Sequence, residues 1–470
     1  MLTRSLLIVL AIGLGVGSFA VQEPLARAAT QITAVVAFYT FFYAPARGLL
    51  YAFGYGLAVT GVFLFVSGKS WLEIFAGWEL VSVGAWALIV GARGVSRRSL
   101  EAAFIAFIVN RVGDVFWLMA ASGAEAFPEG FWIAGLVKAG IFPFTFWLVQ
   151  AMYAPAPVSA LLHSALLVAL GVYGPLRYPE WRVGFDAGAQ KAAELLAVCA
   201  GIGAVGSRSP KVALAWTTAA HLAGVVALWP QPEQAQQALL HHSYLKAALF
   251  LLLGWVQRQG YLTLWEAGLA AVLAGLLVAG AHTGSPLLAI AEGLNALALG
   301  RLWGRFSLRR KGAAADPYRG LSAPLFLAVF CLAEGYLRFS VPEAFIFLPL
   351  GIVGVWLAKV QLYWRLDRPF LLLTQDTLHA WLTWVRYWAG MEVFLGRVFV
   401  RVAQRWIRLA YLSGLTEVAM THRGWRAMAR RARGALAVFT APNEPLTYAQ
   451  ALRWGFLLTL MTAIVWRFLR

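Results

Sequence analysis

The stretch KAGIFPFTFWLVQAMYAPAPVSALLHSALLVALGVYGPL, residues 138–176, is apolar enough to lie in a bilayer. Pro143 stands five residues after Lys138. It has no backbone N–H and its ring clashes with the preceding turn, so a helix kinks or breaks there. Membranes tolerate such breaks where neighbouring helices satisfy the freed backbone groups, and broken helices tend to line ion or substrate paths. Lys138 lies mid-segment, where an ammonium is costly unless paired or hydrated. The Ala154–Pro157 step then turns the chain into a second apolar run that carries His163.

The rest of the chain has the same character. Hydrophobic residues make up 61% of 470, charged residues 13%, and mean hydropathy is +0.70. No soluble core needs so much apolar side chain, so an all-α polytopic membrane protein is expected. At about 20 residues per helix the chain has room for roughly 14 spans. The net charge of +18 collects in loops, which reads as positive-inside topology facing anionic lipid at the inner surface, with no nucleic-acid partner. Cys199 and Cys331 lie in separate apolar runs, with neither metal spacing nor a disulfide framework.

Spans are expected near 5–20, 30–46, 49–67, 72–91, 101–121, 131–152, 157–176, 190–206, 210–229, 238–257, 262–281, 286–304, 321–339 and 344–364. The first is read as a retained helix rather than a signal peptide. Counting from an inside N-terminus places the basic loops at Arg93–Arg98, Arg208–Lys211, Arg305–Lys311 and Arg365–Arg368 inside. The expected location is the inner (plasma) membrane of the cell, which the chain crosses many times. Five regions follow: N-terminal helices (1–70), a first half with the broken helix (71–180), a second half (190–365), a basic amphipathic interfacial segment (366–440) and a final span (448–470). In the interfacial segment Arg397, Arg401, Arg405 and Arg408 recur three or four residues apart, suiting a helix that lies along the membrane surface.

Candidate functional residues are the polar ones the apolar runs carry. Glu79 sits in a span whose other charge, Glu73, is near its start. A buried carboxylate and a buried ammonium offset one another, so Glu79 and Lys138 are candidate partners, as a static pin or as a switchable pair. Arg111 and Asp114 are three apart and can pair on one helix face, with a purely internal pair and a channel role both open. His242 and Lys246, four apart, also share a face. Ala281–Pro286 offers a second helix break, with His282 inside it and Glu292 just beyond. The chain carries no Gly-rich nucleotide loop, cysteine cluster or haem motif, so no cofactor or metal is expected and any driving reaction belongs to partner subunits.

Several stretches of the chain carry a resemblance. The run from Lys138 through Pro143 and Pro155-Ala-Pro-Val-Ser-Ala-Leu-Leu-His163 resembles the signature of the antiporter-like subunits of respiratory complex I. Phe107–Asp114, FIVNRVGD, is similar to the subunit L branch, and Trp78-Glu79 resembles the family's Trp-Glu helix. The resemblance implies that Glu79 pairs with the broken-helix lysine and that His163 relays protons. Ser209–Gly224 resembles the family's Lys-x-x-Leu-Ala-Tyr-Ser-Thr helix, matched at Lys211, Leu214 and Ala215, with Thr217 for Ser and His221 where Gln is usual. His242 and Lys246 stand in a stretch similar to the family's His-x-x-x-Lys helix. Two inverted-repeat bundles with broken helices and a C-terminal interfacial helix are implied, with proton transfer through Glu79, Lys138, His163, Lys211, His242 and Lys246, and His221 adds a titratable group on that path.

Two features depart from that pattern. No lysine lies between Lys246 and Lys311, where the family usually places one, so Glu292 or His282 takes that role or the second half does not conduct in the usual way. The Lys211–Trp216 wording is closer to the membrane subunit of inorganic-carbon uptake complexes (DabB-like) than to subunit L. The readings that follow are a subunit L-like proton translocator within a multi-subunit membrane complex, a DabB-like subunit, a cation/proton antiporter subunit, or a non-conducting anchor.

Overall fold

The computed structural model describes residues 2–43, 49–92, 97–122, 127–207, 209–279, 285–306, 323–325, 327–328, 331 and 349–358. His282, the interfacial segment at 366–440 and the final span at 448–470 lie outside the described residues.

The described chain is helical, with no strand. In order come α1 (Leu2–Gly17), α2 (Pro24–Tyr43), α3 (Leu49–Ser67), α4 (Trp71–Gly91), α5 (Arg97–Ser122), α6 (Gly130–Ala139) and α7 (Thr145–Gln150). Then follow α8 (Ala156–Leu162), α9 (Leu167–Arg177), α10 (Ala187–Gly206), α11 (Pro210–Ala227), α12 (Pro232–Gln259), α13 (Leu264–Ala279) and α14 (Pro286–Gly304). Six segments among the described residues are long and apolar enough to cross a membrane, the longest being Pro232–Gln259.

Local chemistry sets many of the helix starts. Ser70 and Glu73 form a capping box, each side chain taking the other's backbone N–H, and this starts α4. Asp186 caps α10 by accepting from Ala189 N at 2.8 Å. Proline in the first turn opens α11, α12 and α14, where its missing N–H leaves no bond unmade.

The break in the first half falls where the sequence places it. α6 ends at Gly140, whose φ of +65° suits glycine, and its N–H bonds back to Leu136 and Val137. Pro143 lies in the link before α7. Lys138 is therefore in the last turn of α6, at the carbonyl end that favours a cation. A second break, which the sequence reading did not foresee, separates α8 from α9. His163 leaves the helix with φ −94° and ψ 6°, and the Ser164 hydroxyl donates to the Leu161 carbonyl at 3.3 Å. Short polar side chains compete with the helix ladder in this way.

Helices α3 and α4 pack through glycines spaced seven apart. A Cβ at Gly77 would lie 2.3 Å from Phe65 N, one at Gly84 2.7 Å from Ala58 N, and one at Gly91 2.9 Å from Tyr51 N. Such close backbone approach needs small residues. Gly84→Val is expected to destabilise the protein by about 1–3 kcal/mol through overpacking. A thermal midpoint in detergent equal to wild type would contradict this packing.

At the centre lie α8, α9 and α12: the most apolar 18-residue stretches within Ala156–Arg177 and Pro232–Gln259 are 100% and 94% buried. Side chains in these stretches are shielded from lipid, so polar groups can persist there inside a membrane.

Candidate functional site

In the first half, polar side chains of α4, α5 and α6 meet in one cluster. Arg111 Nη1 donates to the Glu79 carboxylate. The Arg111 guanidinium also approaches Asp114, with Nε 2.8 Å from Oδ2, although the angle is too poor for a hydrogen bond. Asp114 accepts the indole N–H of Trp78 at 2.7 Å. Lys138 Nζ donates to the Trp78 carbonyl at 3.1 Å and to Ser82 Oγ at 2.7 Å, and it stands 4.1 Å from the centre of the Trp78 ring. Lys138, Asp114, Trp78 and Ser82 are all buried.

The expected Glu79–Lys138 pair is not formed. Trp78 and Ser82 are four apart and share the face of α4 turned to Lys138. Glu79 is rotated by about 100° from Trp78 and faces Arg111 on α5 instead. The Arg111–Asp114 proximity does follow their spacing. Ionised, the cluster holds two carboxylates and two cations and is neutral as a unit.

One end of this half is closed by rings. Phe131 stacks on Trp181 with centroids 5.0 Å apart and planes 7° apart, and on Trp71 at 5.2 Å and 15°. Trp117 meets Trp181 edge-on at 5.9 Å.

The second cluster is carried by α11, α12 and α14 together with His163. His163 Nδ1 lies 3.3 Å from Thr218 Oγ1, and its ring packs on Phe250 at 4.8 Å. Thr218 Oγ1 donates to the Leu214 carbonyl at 2.9 Å. With its hydrogen so used, the hydroxyl accepts from Nδ1–H, leaving Nε2 as the basic nitrogen of His163. The next-door Thr217 accepts from Lys246 Nζ. The rings of His221 and His242 are 5.5 Å apart. His221 Nε2 lies 3.1 Å from Glu292 Oε2, and Asn295 Nδ2 donates to the same oxygen at 3.3 Å. All these groups are buried. With the histidines neutral, Lys246 and Glu292 balance, so an added proton gives this cluster a net positive charge.

Lys211 is placed differently. It stands at the start of α11 and its ammonium donates to the carbonyls of Met152 at 2.9 Å and of Ala154. Met152 lies in the 3-10 turn Ala151–Tyr153 that follows α7 and Ala154 just beyond it, so Lys211 clamps the far end of the broken helix to α11.

Trp78, Ser82, Thr217, Thr218 and Asn295 are site residues that the sequence reading did not single out as such. The signal for the first two is their four-residue spacing opposite a buried lysine. For the threonines it is their alignment with the family's hydroxyl pair. Asn295 follows Glu292 by three residues and shares its helix face.

A multi-pass helical bundle with breaks beside a buried lysine and a buried histidine, and charge-balanced polar clusters inside it, defines an antiporter-like membrane subunit. Residues 68–127 and 129–273 match the family described as NADH:quinone oxidoreductase/Mrp antiporter, TM. Subunit L of NADH-quinone oxidoreductase from Campylobacter jejuni is 31% identical over 172 residues, covering 31% of this chain and 29% of the relative. The subunit L of Pseudomonas aeruginosa is 29% identical over 239 residues, covering 43% and 38%. The chain thus matches well under half the length of these curated relatives. The structure of the Mrp complex from Dietzia sp. DQ12-45-1b superposes with a TM-score of 0.60 at 20% identity, covering 95% of this chain and 61% of that one. A chain of the membrane-bound sulfane sulfur reductase, an archaeal respiratory membrane complex, gives 0.50 at 16%, covering 73% and 84%. At these identities the likeness is one of fold.

Proposed function

We propose that this chain is a proton-translocating membrane subunit of the subunit L kind, driven by redox chemistry in partner subunits of a larger complex. The observation that carries the reading is the pair of buried, charge-balanced clusters, each with a lysine at its centre. Such groups are costly in a membrane and persist where they line an ion path. The path runs through Glu79, Lys138, His163, Lys211, His221, His242 and Lys246, with Arg111 and Asp114 tuning its start and Glu292 or His282 serving its second-half end. Pro143 supplies the break that frees backbone groups beside Lys138. The arrangement of 71–180 and 190–365 as inverted repeats, some 14 spans in all, and anionic lipid against 366–440 belong to the same proposal.

The test uses sealed vesicles carrying the whole complex, with a pH-sensitive dye reporting translocation. Lys138→Met and Lys246→Met are each expected to assemble and to translocate at least about tenfold more slowly. Wild-type rates in both would refute the reading. The Lys211–Trp216 wording favours a second reading, a DabB-like subunit of an inorganic-carbon uptake complex. Partner identification after affinity purification separates the two: redox subunits support the first, a large zinc protein the second.

A further inference from the structure

We infer that Trp78 is the residue that couples Asp114 to Lys138, taking the place of a direct ion pair. Three contacts of one buried side chain and its backbone carry this. The indole N–H donates to Asp114 Oδ1 at 2.7 Å, the ring centre lies 4.1 Å from Lys138 Nζ, and the Trp78 carbonyl accepts from that ammonium at 3.1 Å. Trp78 is fully buried. No carboxylate of the described residues lies within ion-pairing distance of Lys138, and its one other polar contact there is Ser82 Oγ.

The physics of the arrangement is cooperative. A carboxylate that accepts the indole N–H pushes electron density into the ring, and a more electron-rich face attracts a cation more strongly. The charge on Asp114 is thus felt at Lys138 through the indole. When Lys138 loses its proton, the cation–π attraction vanishes and the indole–carboxylate bond weakens with it. Asp114 is then freer to turn to Arg111, whose Nε is already 2.8 Å away but misaligned.

The ionisable groups around Lys138 are few. On α5 they are Asp114 and Arg111, and on α4 Glu79, held by Arg111. Helix α9 also packs on α6, but its Tyr173 bonds to Glu23 and its Arg177 donates to the Val66 carbonyl at 3.1 Å. In the short helix after α9, Arg182 donates to the Trp229 carbonyl at 2.9 Å. Trp78 is therefore the positioning residue between the two charges.

The inference rests on the proton-translocation reading, and the experiment separates the two. Translocation by the whole complex in vesicles is measured from pH 6 to 9 as about seven points for wild type, Lys138→Met, Trp78→Phe, Asp114→Asn and the double variant Trp78→Phe/Asp114→Asn. Phenylalanine keeps a ring face and the backbone carbonyl but removes the N–H. Trp78→Phe and Asp114→Asn are each expected to slow translocation about tenfold and to displace its pH profile. The double variant is expected to match the slower single one, because both remove the same link. Additive losses, or a Trp78→Phe profile equal to wild type, overturn the inference. Lys138→Met at wild-type rate instead overturns the translocation reading beneath it. If Trp78→Phe fails to assemble, benzothienylalanine at position 78 keeps the indole shape without the N–H. Wild-type behaviour of that protein overturns the inference, and the same slowed, displaced profile supports it.

Discussion

Arg111→Leu is expected to destabilise the membrane domain by about 3–5 kcal/mol, the cost of leaving a buried charge without its partner. Arg111 is the one cation of the first cluster in contact with carboxylates, meeting both Glu79 and Asp114. Its side chain and that of Glu79 are only 15% and 17% exposed, too little for water to take over. Leucine at this position leaves two carboxylates facing one ammonium. Combining it with Glu79→Gln restores the balance, Asp114 against Lys138, and is expected to recover most of the lost stability. The measurement is thermal unfolding of the purified complex in detergent, with the amount of assembled complex as a second readout. A double variant as unstable as Arg111→Leu alone would show that packing of Arg111 on Phe107, 4.3 Å from the ring centre, matters more than the charge. Activity then separates roles: a rescued double variant that still translocates makes Glu79 a structural anchor, and one that is assembled but inactive makes it part of the path.

Glu292→Gln is expected to slow translocation by at least about 100-fold while leaving assembly intact. Glu292 is the carboxylate of the second cluster, 3.1 Å from His221 Nε2. A proton arriving on His221 needs that negative charge beside it in a site remote from water. Glutamine keeps the shape and the contact with Asn295 but offers no charge. Glu292→Asp keeps the charge on a shorter stem and is expected to retain partial activity. On the proposed reading the pair takes the place of the missing second-half lysine, with a titratable base on α11 and its counter-ion on α14. Dye-reported acidification of vesicles by the whole complex is the measurement. Glu292→Gln pumping at the wild-type rate would remove this pair from the path.

Much of the architecture can be read along the chain because membrane physics acts on local sequence. A bilayer demands that each span satisfy its own backbone, so span length, proline and glycine punctuation and charged loops mark the helices one at a time. Expected spans such as 49–67, 190–206 and 286–304 coincide with α3, α10 and α14 to within one or two residues at most ends. Lys138, Pro143, Arg111–Asp114 and His242–Lys246 are legible for the same reason: each is a local departure from an apolar background or a fixed spacing on one helix.

Partner choice between helices is another matter. Glu79 and Trp78 are neighbours in sequence, yet the rotation of α4 sends one to Arg111 and the other to Lys138. That rotation is set by the glycine faces of α3 and α4, which let their backbones meet, and no property of residues 78–79 alone encodes it. The break after His163 likewise depends on a polar side chain bonding locally within a fully buried segment. The contact of His221 with Glu292 joins helices 71 positions apart in sequence. The sequence by itself determined which ionisable groups enter the membrane and on which helices. Only the tertiary structure decided which of them meet, because pairing depends on helix rotation and close packing, which arise between segments and not within them.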